Sequence, residues 1–239
     1  MGLCESSKNE SINDTIKLGE SKNGTLETDQ ILQSFKSLAI TAKSVCKILI
    51  AQNQLGCGFL IQLFKKNQQF FCLMTTEQVV NKKMIEDKVT IELSYDMETK
   101  NKEIELNSEE RLIKDFSEFN MDIIVIEILP SDNISQDYFL LPFKDYMDDY
   151  NKFVNKEIMI TQYPNGEINS SFGKINGLIE ATNYEFIHDA NTDKGSSGSP
   201  IFLKGHIRVI GINKGENKNT KENHGYFIWP IFDYFKKYS

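Results

Sequence analysis

The segment of this 239-residue chain richest in potential chemistry is 191–202, NTDKGSSGSPIF, a glycine- and serine-rich turn that runs into an apolar strand. A tight turn of this kind holds a hydroxyl at a fixed point and aims successive backbone N–H groups inward, an arrangement able to form an oxyanion hole. Taken alone, GSSGSP reads equally well as a plain flexible hairpin. Groups able to move a proton near neutral pH are scarce. The three histidines are His188, His206 and His224, and none precedes residue 188. The four cysteines, Cys4, Cys46, Cys57 and Cys72, lie in the first third without paired metal-ligand spacing, so they read as thiols of a reducing compartment. No metal and no cofactor is expected.

The elements that must position this turn are short and β-rich. From residue 45 onward, runs of Val, Ile, Phe and Thr alternate with Asn, Lys, Gly and Asp. They predict strands near 45–52, 56–64, 69–75, 88–95, 102–106 and 121–128, then near 157–163, 171–179, 184–188, 200–204, 207–213 and 225–230. Two sets of six with few helical patterns between them predict an all-β chain of two six-stranded antiparallel barrels, one over about 45–130 and one over about 155–230. Ile231, Phe232 and Phe235 fall at helical spacing and predict a closing helix over 230–238. Residues 1–30 are polar, with too few large apolar groups to offset the entropy of ordering, and predict a disordered tail. Ile31, Leu32, Phe35, Leu38 and Ala39 suggest one short amphipathic helix or linker over 31–44.

Composition removes several classes of function. Lys and Arg total 27 against 34 Asp and Glu, a net charge of −7, so non-specific binding of nucleic acid is not expected. No apolar run approaches the roughly 18–20 residues of a membrane-spanning helix, and the first ten residues, MGLCESSKNE, lack the pattern of a secretory signal.

Three segments, GCGFLIQLFKKNQQFFCLMTTEQVV at 56–80, NMDIIVIEI at 120–128 and GSSGSP at 195–200, together resemble trypsin-like serine peptidases of the two-barrel type. The resemblance covers about residues 45–230. It implies that Ser197 stands at the nucleophile position and Asp122 at that of the carboxylate that orients the imidazole. It also implies an oxyanion hole at Gly195, Ser196 and Ser197, made by the amides of Gly195 and Ser197, and a substrate pocket bordered by Asn191, Thr192 and Asn213. Ser196 stands where secreted trypsins carry an acidic residue that pairs with a newly cut N-terminus, so activation by cleavage is not expected.

One departure bears directly on the chemistry. Where the family has His in T-x-x-H-V-V, this chain has Gln78. A serine hydroxyl is a weak nucleophile that needs a neighbour to take its proton and return it to the leaving group. Imidazole does both near neutral pH, and an amide does neither. Glu77, Lys194 and His224 are the nearby candidates for a substitute, while His188 reads as a core or pocket histidine and His206 as a hairpin residue. The expectation is a protease homologue without proteolytic activity that binds a peptide or protein partner; the alternative is an endopeptidase that uses Ser197 with a different base.

The first six residues, Met1-Gly2-Leu3-Cys4-Glu5-Ser6, fit the pattern for N-myristoylation at Gly2. A single myristoyl chain binds membranes with an association constant of only about 10⁴ M⁻¹, and palmitoylation of Cys4 would supply the second anchor. Carboxylates at Glu5, Glu10, Asp14 and Glu20 leave no polybasic patch to do so. The expectation is a cytoplasmic protein held at a membrane by its N-terminus, and the alternative is an unmodified tail.

Overall fold

The computed structural model describes residues 38–66, 68–95, 100–143, 149–182 and 184–237. The expected tail over 1–30, Gly2 and Cys4 included, lies outside the described residues. A helical turn, α1, occupies 38–44. The first half continues as β1 (Val45–Ile50), β2 (Asn53–Lys65), β3 (Gln68–Thr75), the short α2 (Lys82–Glu86), β4 (Thr90–Ser94), β5 (Lys102–Glu105), β6 (Ile113–Asp115) and β7 (Ile124–Glu127). After an irregular connector come β8 (Glu157–Gln162), β9 (Asn169–Leu178), β10 (Glu185–His188), β11 (Pro200–Leu203), β12 (Val209–Glu216), β13 (Asn223–Phe227) and the closing helix α3 (Trp229–Lys237). No helix among the described residues is long and apolar enough to cross a membrane.

The second set of six strands closes on itself in the order β10-β13-β12-β11-β8-β9, all neighbours antiparallel. The first set differs from a six-stranded closed barrel. It holds seven strands in a curled sheet, ordered β5-β4-β1-β2-β3-β7-β6. The additional strand, β6, has only three residues and no alternation to betray it; it forms by pairing Ile113, Lys114 and Asp115 with β7. The opposite edge, β5, reads Lys-Glu-Ile-Glu, and charge on an edge strand discourages further pairing.

Three apolar clusters hold the chain together. Alternate residues of β2 and β7 face opposite ways, as a pleated strand requires. Cys57, Phe59, Ile61 and Val125 join Met159, Phe202, Ile212 and Tyr226 in the core between the two halves. Leu60, Ile124 and Ile126 pack instead with Ile48, Leu73, Ile91 and Leu93 inside the curled sheet. Phe186, Ile201, Ile210 and Phe227 fill the closed barrel. α3 reaches back from the second half to the first, stacking Phe235 on Phe70 with ring centroids 5.0 Å apart.

One buried ion pair anchors the start of the connector. Arg111 grips Asp132 with two parallel bonds, Nη1–Oδ2 at 2.8 Å and Nη2–Oδ1 at 3.0 Å, and donates a third to the Glu127 carbonyl. Both side chains are only 6% exposed. Arg111→Ala strands a carboxylate in the interior, and is expected to cost about 3–5 kcal/mol, read as a lower urea midpoint at unchanged denaturant slope. A loss below about 1 kcal/mol would place Asp132 in contact with water and contradict the buried geometry.

Candidate functional site

Gln78 sits on a tight turn closed by bonds from Val79 N–H and Val80 N–H to the Thr76 carbonyl, both 3.0 Å. Val79 and Val80 are buried in the core of the curled sheet, which leaves Gln78 facing out. Asp122 is aimed the same way: Met121 and Ile123 on either side of it are buried, and the half-exposed carboxylate emerges between them. The two meet. Asp122 Oδ1 accepts the Glu77 backbone N–H at 2.7 Å and Oδ2 accepts Gln78 Nε2 at 2.8 Å. A carboxylate accepts only, so the amide nitrogen of Gln78 must face it and the amide oxygen faces away. That oxygen can receive a hydrogen bond but cannot take a proton near neutral pH.

Ser197 lies across the junction, on the loop between β10 and β11. Its hydroxyl donates to the Lys214 carbonyl at 3.2 Å. A Cβ built on Gly215 would stand 3.0 Å from this hydroxyl oxygen. Gln78, Lys214, Gly215 and His224 border one small cavity of about 110 Å³, so Gln78 and the strand that holds Ser197 share a single cleft.

The loop itself is fastened from two sides. On the first half, Cys57 N–H donates to the Ser197 carbonyl at 2.8 Å, while Cys57 Sγ and Gln54 Nε2 both donate to the Gly195 carbonyl, at 3.0 and 3.3 Å. On the second half, Asn213 binds Gly198 and Ser199 through its backbone and the Ser196 carbonyl through Nδ2 at 2.9 Å. Gly198 has φ of +88°, and a Cβ there would fall 2.1 Å from the Cys57 carbonyl, so no other residue fits. Burial pushes the Cys57 thiol up to about 11, which keeps it a protonated donor.

Of the three amides around the expected oxyanion hole, Ser196 N–H is spent within the loop on the Asp193 carbonyl at 3.0 Å. Those of Gly195 and Ser197 donate to no described residue. The Lys194 carbonyl is held by Asn165 N–H at 3.0 Å, and the trans peptide therefore turns Gly195 N–H the opposite way. Among the described residues, two backbone donors of this loop thus remain unspent, those of Gly195 and of Ser197 itself.

The residues expected at the substrate pocket are placed as follows. Thr192 Oγ1 donates to Asn223 Oδ1 at 2.8 Å, and the exposed Asn191 gives its carbonyl to Gln162 Nε2 at 2.9 Å. Asn213 is fully buried, its Oδ1 paired with His188 Nε2 at 3.2 Å. His206 stacks edge-on against Phe143 in the β11–β12 hairpin.

His224 borders the cleft and is held by a buried carboxylate. Nδ1 lies 2.8 Å from Glu185 Oε1, which also takes Lys214 Nζ at 2.9 Å. Nε2 is buried with no partner among the described residues. A carboxylate in the apolar strand sequence YEFIH was the available signal, since a buried Glu needs a partner.

No family model and no curated protein matches the sequence. Solved structures match its shape. The Rv3671c protease of M. tuberculosis, in an inactive form, is similar at a TM-score of 0.57 and 16% identity over 84% of this chain and 91% of that one. Deg5 gives 0.58 and 19% over 89% and 98%, and a serine endoprotease from Yersinia pestis gives 0.58 and 14% over 84% and 66%. The chain has the fold of trypsin-like serine proteases.

The His188 imidazole, buried beneath Asn213, gives the site a pH signature. Burial pushes its pKa from near 6.5 down to about 4, partly opposed by the bond to Asn213. The unfolded chain takes up this proton below about 6.5 and the folded chain only below about 4, so stability falls as pH drops through that window. Across it the loss is roughly 3 kcal/mol, and above it this group contributes no pH dependence. Urea midpoints at pH 7 and pH 4.5 measure the loss, which His188→Gln should largely remove.

Proposed function

We propose that this chain is a trypsin-like protease homologue that binds a peptide or protein segment in its cleft without cutting it, held at the cytoplasmic face of a membrane by acyl groups on Gly2 and Cys4. The observation that carries the reading is the Asp122–Gln78 pair. The carboxylate that would orient an imidazole holds an amide at 2.8 Å instead, and the Ser197 hydroxyl donates to a backbone carbonyl. In a serine protease of another fold, loss of the histidine alone costs about 10⁶ in kcat. The loop nevertheless keeps two unspent amide donors, which suits it to hold a ligand carbonyl without attacking it.

A second reading is favoured by the Glu185–His224 pair. With Nδ1–H given to the carboxylate, Nε2 carries the free lone pair of a general base. It would serve if Ser197 Oγ left the Lys214 carbonyl and handed its proton to His224, which would then protonate the leaving amine.

A serine-reactive phosphonate separates the two. The non-cutting reading expects no labelling of the wild-type chain, and expects Gln78→His, which brings an imidazole to Asp122, to raise labelling at Ser197 by about 10²-fold or more. Stoichiometric wild-type labelling that is lost in both Ser197→Ala and His224→Ala would replace it with the second reading. Membrane attachment is tested by Gly2→Ala, which should move the chain from the membrane to the soluble fraction of expressing cells.

A further inference from the structure

An apolar groove lies away from the cleft, among β2, the connector and α3. Its apolar walls are Phe64 of β2, Leu141 and Phe143 of the connector, and Trp229 and Phe232 of α3, enclosing about 300 Å³, with the charged Asp233 and Lys236 of α3 also on its border. That volume is at the lower end for sites that enclose a small molecule. The walls are fixed in place: Trp229 Nε1 donates to the Phe143 carbonyl and Arg208 Nη1 to the Pro142 carbonyl, each at 3.3 Å. Phe64 is nonetheless 45% exposed, an aromatic ring left against water at the groove's edge.

The point where the described chain begins indicates what covers it. Ile40 and Ser44 of α1 line a neighbouring cavity that shares Leu141 and Arg208 with the groove. Residue 38 therefore enters the fold beside the groove. Thirty-five residues separate it from Gly2, a contour of up to about 120 Å, so Gly2 can reach any part of the groove. Residues 5–30 are mostly polar and Ile31, Leu32 and Phe35 lie nearer residue 38, but an acyl chain on Gly2 would be the largest single apolar group on the whole segment. A saturated chain makes no hydrogen bonds and needs only apolar walls to leave water.

We propose that this groove binds a saturated acyl chain, and that its occupant is the N-terminal acyl group carried on Gly2. The inference rests on the acylated reading of the N-terminus given above. With its one chain drawn into the groove, the protein stays in solution; release of that chain together with acylation of Cys4 supplies the two anchors that hold it to the bilayer, because a lone myristoyl group binds membranes only weakly.

The test uses the full chain with Cys4→Ser, co-expressed with an N-myristoyltransferase, with intact mass reporting acylation. Acylation is expected to slow amide exchange at 60–64 and in α3 by about threefold or more relative to the unacylated chain. Acylated Phe64→Asp should lose this protection and partition about fivefold more onto phosphatidylcholine vesicles. Phe143→Asp should do the same from the facing wall, and an unaltered thermal midpoint for either unacylated variant shows that the fold is kept. Unchanged exchange and partition in a chain whose mass confirms the acyl group would overturn the groove assignment alone. An unmodified Gly2 would overturn the membrane reading and, with it, the occupant named here.

Discussion

The cleft is organised around a backbone hydrogen bond from Cys57 N–H on β2 to the Ser197 carbonyl, 2.8 Å long, backed by the Cys57 and Gln54 side chains on the Gly195 carbonyl. It joins the two halves at the point where the Ser197 loop meets the first sheet. Steric constraints on either side leave it little freedom. A Cβ on Gly56 would strike Val79, the residue after Gln78, at 2.4 Å and would sit 3.0 Å from the Ser197 carbonyl; Gly198 presses on the Cys57 carbonyl from the other side. β2 is therefore a bar against which both the Gln78 turn and the Ser197 loop are registered. The apolar core between the halves, with Phe59 and Ile61 further along the same strand, keeps that bar seated.

Among the carboxylates near this cleft, Asp122 and Glu185 each orient a different group. Asp122 fixes the amide of Gln78, while Glu185 fixes the imidazole of His224 and the ammonium of Lys214. The same physical device, an acceptor-only carboxylate choosing which edge of its partner faces it, gives opposite chemical results. On Asp122 it presents an oxygen with no useful basicity. On Glu185 it presents a nitrogen with a free lone pair. Among the described residues, no side chain joins His224 Nε2 to the Ser197 hydroxyl.

Much of the fold was legible because its strands are short β-rich runs bounded by turn-forming residues. Runs of Val, Ile, Phe and Thr set off by Asn, Lys, Gly and Asp located every strand of the closed barrel and all but one of the first sheet. β6 escaped because three residues cannot display a period, and its existence depends on β7 lying beside it. The closing helix was legible from Ile231, Phe232 and Phe235, whose spacing matches the face that α3 turns inward. That the first sheet curls without becoming a six-stranded barrel was not legible, since closure depends on edge geometry and not on the content of any one strand.

The chain's order of residues was enough by itself to set the chemical deficit: no histidine precedes residue 188, so an amide occupies the turn at 78 whatever the fold does with it. Local residue types also determined the sharp loop at 195–198, whose two ends, Gly195 and Gly198, have positive φ and no room for a Cβ. Tertiary structure decided what those residues face. Only folding brings Asp122 from forty-four positions away to the Gln78 amide, spends the Ser197 hydroxyl on Lys214, and buries Glu185 against His224 on an adjacent strand. The reason is physical. Covalent order limits which groups exist and which turns are possible, whereas hydrogen-bond pairing in a buried cleft is settled by which strands pack together.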